Sequence, residues 1–99
     1  MTSVNIQPRA EAEAGDAAAW YEAEQPGLGL EFLLELDAAI ERAADNPLAY
    51  APVFFEARRV LARRFPFAVY FVYDGEVVEI FAILHQRRAS SLWESRVRR

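Results

Sequence analysis

His85 is the one side chain in this 99-residue chain whose unperturbed proton equilibrium lies near neutrality. It is therefore the leading candidate for general acid or base chemistry. The 11 other basic residues are all arginine and none is lysine. Arginine presents a fixed, bidentate fork to phosphate or carboxylate groups. Three adjacent pairs stand out: Arg58-Arg59, Arg63-Arg64 and Arg87-Arg88. If they lie on or beside neighbouring strands, one member of each pair could meet on a single sheet face. Strand register decides which, because successive residues point to opposite faces. Plainer roles exist for all of them. A single histidine at a strand end can hydrogen-bond a backbone carbonyl, and arginine pairs can neutralise an acidic partner or answer the chain's own acidic helices. The chain has no cysteine, which removes disulfides, thiolate-bound zinc and thiol catalysis. One histidine argues against a His-built metal site. No Gly-rich phosphate loop or Ser/His/Asp set is present, so neither metal nor cofactor is expected.

The formal net charge of −4 conceals a split. Residues 1–50 hold two arginines against ten acids, a net of −8; residues 51–99 hold nine against five, a net of +4. A basic half implies a polyanion or an acidic partner. Glu31, Glu35 and Glu41 look like a solvated helix face and receive no catalytic role. With 54 % apolar and 26 % charged residues, the chain is too hydrophobic for disorder and has an ordinary soluble surface. Its length predicts one domain over residues 1–99. The longest charge-free stretch, residues 46–55, contains two prolines and is about half a membrane span. No basic-then-apolar leader opens the sequence. A cytoplasmic protein is expected.

The elements that must position these groups follow from periodicity. Val4-Asn5-Ile6 predicts a short first strand ahead of Pro8. Ala10, Ala14, Ala17 and Tyr21 share one face of a helix running from residue 9 to about 24, which Gln25-Pro26-Gly27 ends. Phe32, Leu36, Ile40 and Ala43 mark a second helix from about Leu28 to the stop at Asn46-Pro47. The two should form an antiparallel hairpin. After a loop through Pro52, residues 57–61, 65–73 and 76–84 predict three strands, the last two joined by the Asp74-Gly75 turn. Nearly continuous apolar character suits a sheet with helices on one face and partial cover on the other. Residues 90–99 predict a short final helix with Leu92, Trp93 and Val97 as its apolar positions. The fold class is α+β: a helical hairpin packed on a largely antiparallel twisted sheet of about four strands, with a short C-terminal helix.

The run Arg58-Arg59-Val60-Leu61-Ala62-Arg63-Arg64-Phe65-Pro66-Phe67-Ala68-Val69-Tyr70-Phe71, then Asp74-Gly75, then His85-Gln86-Arg87-Arg88 and Trp93, resembles the RelE/ParE superfamily of type II toxin–antitoxin toxins. The likeness covers nearly the whole chain, including the helix pair broken at Pro26-Gly27. It implies a toxin that arrests growth unless bound by a cognate antitoxin, expected from the adjacent gene. It also implies one of two targets, DNA gyrase or messenger RNA in the translating ribosome. For a metal-independent ribonuclease, the resemblance makes His85, Arg64 and Arg88 the catalytic set. For partner or target binding it points to Arg58, Arg59, Arg63, Arg64, Arg87, Arg88 and Trp93. Ribosome-dependent members usually add lysines or a C-terminal tyrosine, and Asp-Pro is common where this chain has Ala89-Ser90. The missing lysines, with the net negative charge, turn the expected target toward gyrase, while the missing tyrosine and lysines together with Ala89-Ser90 point to loss of activity on the same fold. The alternatives are the ribosomal nuclease and an inactive protein-binding module on the same fold.

Overall fold

The structure, a computed structural model, describes residues 2–87. Strand β1 (Ser3–Ile6) leads into helices α1 (Pro8–Glu24) and α2 (Leu28–Asp45), followed by a 3-10 turn (Pro47–Ala49) and strands β2 (Pro52–Phe54), β3 (Ala57–Leu61), β4 (Phe67–Tyr73) and β5 (Val77–His85). The sheet has five strands in the order β1-β5-β4-β3-β2. Strands β2 to β5 form an antiparallel meander, and β1 pairs parallel to β5 at the opposite edge. The expected α+β arrangement of a hairpin on a largely antiparallel sheet is therefore present. The strand beyond the expected four is β2, in the segment read as loop. Its first residue, Pro52, lacks an amide hydrogen and suits an edge position. The predicted C-terminal helix lies outside the described residues.

Local chemistry explains the hairpin. Pro8 sits at the start of α1, where its missing amide hydrogen costs nothing. Gly27 adopts φ 92°, a left-handed conformation that glycine tolerates best. Glu22 then reaches forward from α1. Its carboxylate accepts the Gly27 amide at 3.0 Å and the Gly29 amide at 3.0 Å, satisfying donors that the start of α2 leaves without helical partners. A Cβ on Gly29 would lie 2.7 Å from the Ala18 carbonyl oxygen, so the two helices cross closely at this point.

Phe32, Leu36, Ala39 and Ala43 of α2 join Ala10 of α1 over Val60, Val69, Phe71, Val78, Ile80 and Ile83 of the sheet. The far face carries a second buried cluster, built from Ala57, Ala68, Tyr70, Phe81, Ala82 and Leu84. One irregularity sets which residue belongs to which face. Tyr70 lies opposite Ala82 and Phe71 opposite Ile80, which leaves Phe81 as an extra residue in β5. This bulge sends both Phe81 and Ala82 to the far face and returns Ile83 to the helix side. At the β4–β5 turn, the Asp74 carboxylate accepts the amides of Glu76 and Val77, each at 2.8 Å, and Gly75 has φ 99°. Those hydrogen bonds hold the Asp74 carboxyl below its ordinary pKa.

Candidate functional site

The strand arginines do not gather on one surface. Arg58 stands opposite Phe71 on the helix side, where its part-buried guanidinium donates to the Tyr50 carbonyl oxygen and ties the segment after the 3-10 turn to β3. Arg59 stands opposite Tyr70, on the far face, and is exposed. Arg63 and Arg64 lie in the link between β3 and β4, and β4 begins at Phe67, two residues after the expected start at Phe65. Arg64 adopts φ 69°, and its guanidinium meets Glu31 of α2 at 2.7 Å and lies 5.3 Å from the centre of the Phe65 ring. The hydrogen bond to Glu31 is the main reason its pKa rises above the usual arginine value. Arg64 thus answers one of the chain's own acidic helices. Arg87 is exposed in the turn after β5. Arg88 and Trp93 lie outside the described residues. Arg42, which no sequence signal singled out, donates to the Leu61 carbonyl at 2.8 Å and ties α2 to the end of β3.

His85 ends β5 on the helix side, facing Phe67 with ring centres 5.3 Å apart. Its Nδ1 accepts the Arg87 backbone amide at 3.0 Å. The histidine therefore does make a main-chain hydrogen bond, as acceptor from an amide instead of donor to a carbonyl. His85 borders a cleft of about 530 Å³ between α1 and the end of the sheet. From α1 the cleft is lined by Glu13, Asp16, Ala17, Trp20 and Tyr21; from the sheet it is lined by Phe67 and Ile83 as well. Its construction follows from the end of β1. The last main-chain bond across that edge runs from the Gln7 amide to the Ile80 carbonyl. Beyond it, Glu13 supplies the missing acceptor, taking the Ile83 amide at 3.0 Å. Tyr21 packs its ring against Phe32, Phe65 and Phe67 at 5.1, 4.9 and 6.2 Å, and burial pushes its hydroxyl pKa up.

Register measures how far the proposed chemistry is spread. His85 is level with Phe67 and Arg58 with Phe71, four residues along β4. At a rise of about 3.3 Å per residue this is about 13 Å along the sheet, with two strand spacings added across it. Arg59 is on the other face altogether. Acid or base catalysis at His85 would therefore find no strand arginine beside it to stabilise charge developing on a phosphate. The side chains that line the cleft with His85 are instead apolar, aromatic and acidic, and the arginine nearest to it among the described residues is Arg87 in the following turn. Among the described residues no group of three or more His, Cys, Asp or Glu side chains could hold a metal ion, and no helix is long and apolar enough to cross a membrane.

A two-helix hairpin on one face of a five-stranded sheet, with a parallel edge strand closing an antiparallel meander, defines a small α+β domain of a kind already known in solved structures. A chain titled as the chromosomal ParDE toxin–antitoxin system from P. aeruginosa shares this fold with a TM-score of 0.76 at 18 % identity, over 86 % of this chain and 96 % of that one. No curated protein matches this chain in sequence. The family model of the ParE toxin of the type II toxin–antitoxin system parDE matches residues 4–90, and the chain belongs to that family.

Proposed function

We propose that the chain arrests growth by acting on DNA gyrase, and that an antitoxin encoded beside it holds it inactive in the cytoplasm. The observation that carries the choice of target is the separation of His85 from the strand arginines. A nuclease needs an acid or base and a cationic phosphate clamp within reach of one scissile bond. Among the described residues, Arg58 is committed to the Tyr50 carbonyl and Arg64 to Glu31, and Arg59 lies on the opposite face from His85, which leaves only Arg87, exposed in the turn two residues on, near the imidazole. The lack of lysine supports the same choice, because a net-negative domain has little long-range attraction for ribosomal RNA.

Antitoxin binding is supported by the apolar surface on the hairpin. Leu30 and Leu34 lie one turn apart on α2 and are 62 % and 58 % exposed. Such a stripe suits a segment that folds on contact and lays apolar anchors across it. Expression of the chain alone should stop growth, and co-expression of the adjacent gene should restore it, with both proteins co-purifying. Unimpaired growth with no co-purifying partner would falsify the toxin reading. Unimpaired growth with a retained partner would identify an inactive binding module.

A further inference from the structure

The cleft beside His85 has the opposite character from the arginine surfaces on which partner binding was expected. Trp20 stands at its rim and is 60 % exposed, an unusual position for so large an apolar surface. Tyr21 and Phe67 supply two further aromatic surfaces. Glu13, Asp16 and Trp20 follow one another at helical spacings of three and four along α1, so two carboxylates and an indole share one wall. Asp16 is exposed and makes no ion pair with any other described residue. Glu13 is engaged with the Ile83 amide, so the exposed carboxylate of the cleft is that of Asp16; aromatic walls beside it attract a cation through the ring quadrupoles and the charge of Asp16, and the apolar lining accepts the alkyl stem behind the charge.

We propose that this cleft receives an arginine or lysine side chain from the antitoxin, a subsite that rests on the antitoxin reading above and adds to it a basic anchor. The charge complementarity is local to α1, within the acidic half of the chain, and it selects a partner residue opposite in sign to one that would meet Arg59 or Arg63. The antitoxin segment should therefore carry a basic residue where it passes the end of β5, apart from any acids it sets against the arginines.

Two measurements test the subsite. In the first, calorimetry on the toxin with the protein encoded by the adjacent gene should show that Trp20→Ala and Asp16→Lys each raise Kd about tenfold or more. Glu76→Lys makes the same charge change on the exposed β4–β5 turn and should stay within about twofold of the parent, since distant surface charges are screened. Equal effects of Asp16→Lys and Glu76→Lys, or no effect of Trp20→Ala, overturn the subsite while leaving antitoxin binding intact. In the second, arginine amide acetylated at its α-amine is titrated into the toxin alone and followed by NMR, with the equally acetylated citrulline amide as the uncharged comparison. The Trp20 indole and the Ile83 amide should shift with arginine amide and not with citrulline amide. Equal shifts with both probes, or none with either, overturn the proposal even where no partner binds the parent protein and the antitoxin reading has failed on its own.

Discussion

Gly15 and Gly29 offer the same substitution in two helices with opposite predicted signs. Replacing an interior helical glycine by alanine gains roughly 1 kcal/mol from reduced backbone entropy in the unfolded chain and better helix propensity. At Gly15 nothing lies within 4 Å of the added Cβ, so Gly15→Ala should keep that gain and stabilise the domain by about 0.5–1 kcal/mol. At Gly29 the new carbon would lie 2.7 Å from the Ala18 carbonyl oxygen and 3.1 Å from both Cβ and Oε1 of Glu22. The nearest obstacle is main chain and cannot rotate away. Relieving it must part the two helices, with an overpacking penalty of about 1–3 kcal/mol. Displacing Glu22 also weakens the bonds it makes to the Gly27 and Gly29 amides, a capping arrangement worth about 1 kcal/mol. Because Gly29 is only the second residue of α2, the interior propensity gain is smaller there, and Gly29→Ala should destabilise by about 1–3 kcal/mol. Urea unfolding of both variants, checked by thermal melts in which 1 kcal/mol moves the midpoint by about 4–8 °C, gives the comparison. Stabilisation of Gly29→Ala by as much as Gly15→Ala would refute the close crossing at Gly29.

Three further outcomes follow from the same geometry. Arg58→Ala removes the part-buried donor to the Tyr50 carbonyl and should destabilise by about 1–3 kcal/mol in urea unfolding, whereas Arg63→Ala, in an exposed link, should lie within about 0.5 kcal/mol of the parent. Asp74 has a carboxyl pKa depressed by the amides of Val77 and Glu76, so its stabilising effect is complete above the unfolded-state pKa and is lost as pH falls through the lower folded value. Asp74→Ala should accordingly be less stable than the parent near neutrality, and the gap should narrow in acid; a gap independent of pH would contradict that assignment. His85→Ala combined with Arg88→Ala should leave growth arrest intact in cells expressing the toxin alone, and loss of arrest by a variant that still folds would restore the nuclease mechanism.

Much of the fold was legible because its signals are local. The spacing of Phe32, Leu36, Ile40 and Ala43, the break at Pro26-Gly27 and the Asp74-Gly75 turn each act within a few residues, and each marks the element expected. The placement of His85 was not legible for a specific reason. Strict alternation from Val78 and Ile80 would put Ala82 and Leu84 on the helix side and send His85 to the far face. The extra residue Phe81 reverses that parity, and nothing in the run Ile80-Phe81-Ala82-Ile83 marks a bulge, because every residue in it is apolar. The roles of Glu22 and Glu13 were hidden for a related reason. Each caps a backbone group supplied by another element: Glu22 those of α2, and Glu13 that of Ile83, 70 positions away. Arg64 could be read as basic, but its Glu31 partner becomes visible only when the link between β3 and β4 is set against α2.

The charge split acquires a spatial meaning in this arrangement. The acids of the first half do more than solvate a helix face, since Glu13 and Asp16 border a cleft and Glu31 holds Arg64. The described arginines of the second half are divided among a backbone tie, an ion pair and exposed positions on different surfaces. That division favours recognition of a macromolecular surface over concerted chemistry at one phosphate.

Purified toxin added to DNA gyrase and supercoiled plasmid tests the target most directly. Accumulation of covalent gyrase–DNA cleavage complexes, absent when the adjacent gene's product is included, is the result expected. Absence of such complexes, together with toxin-dependent cuts in the A site of translating ribosomes by toeprinting, would contradict it.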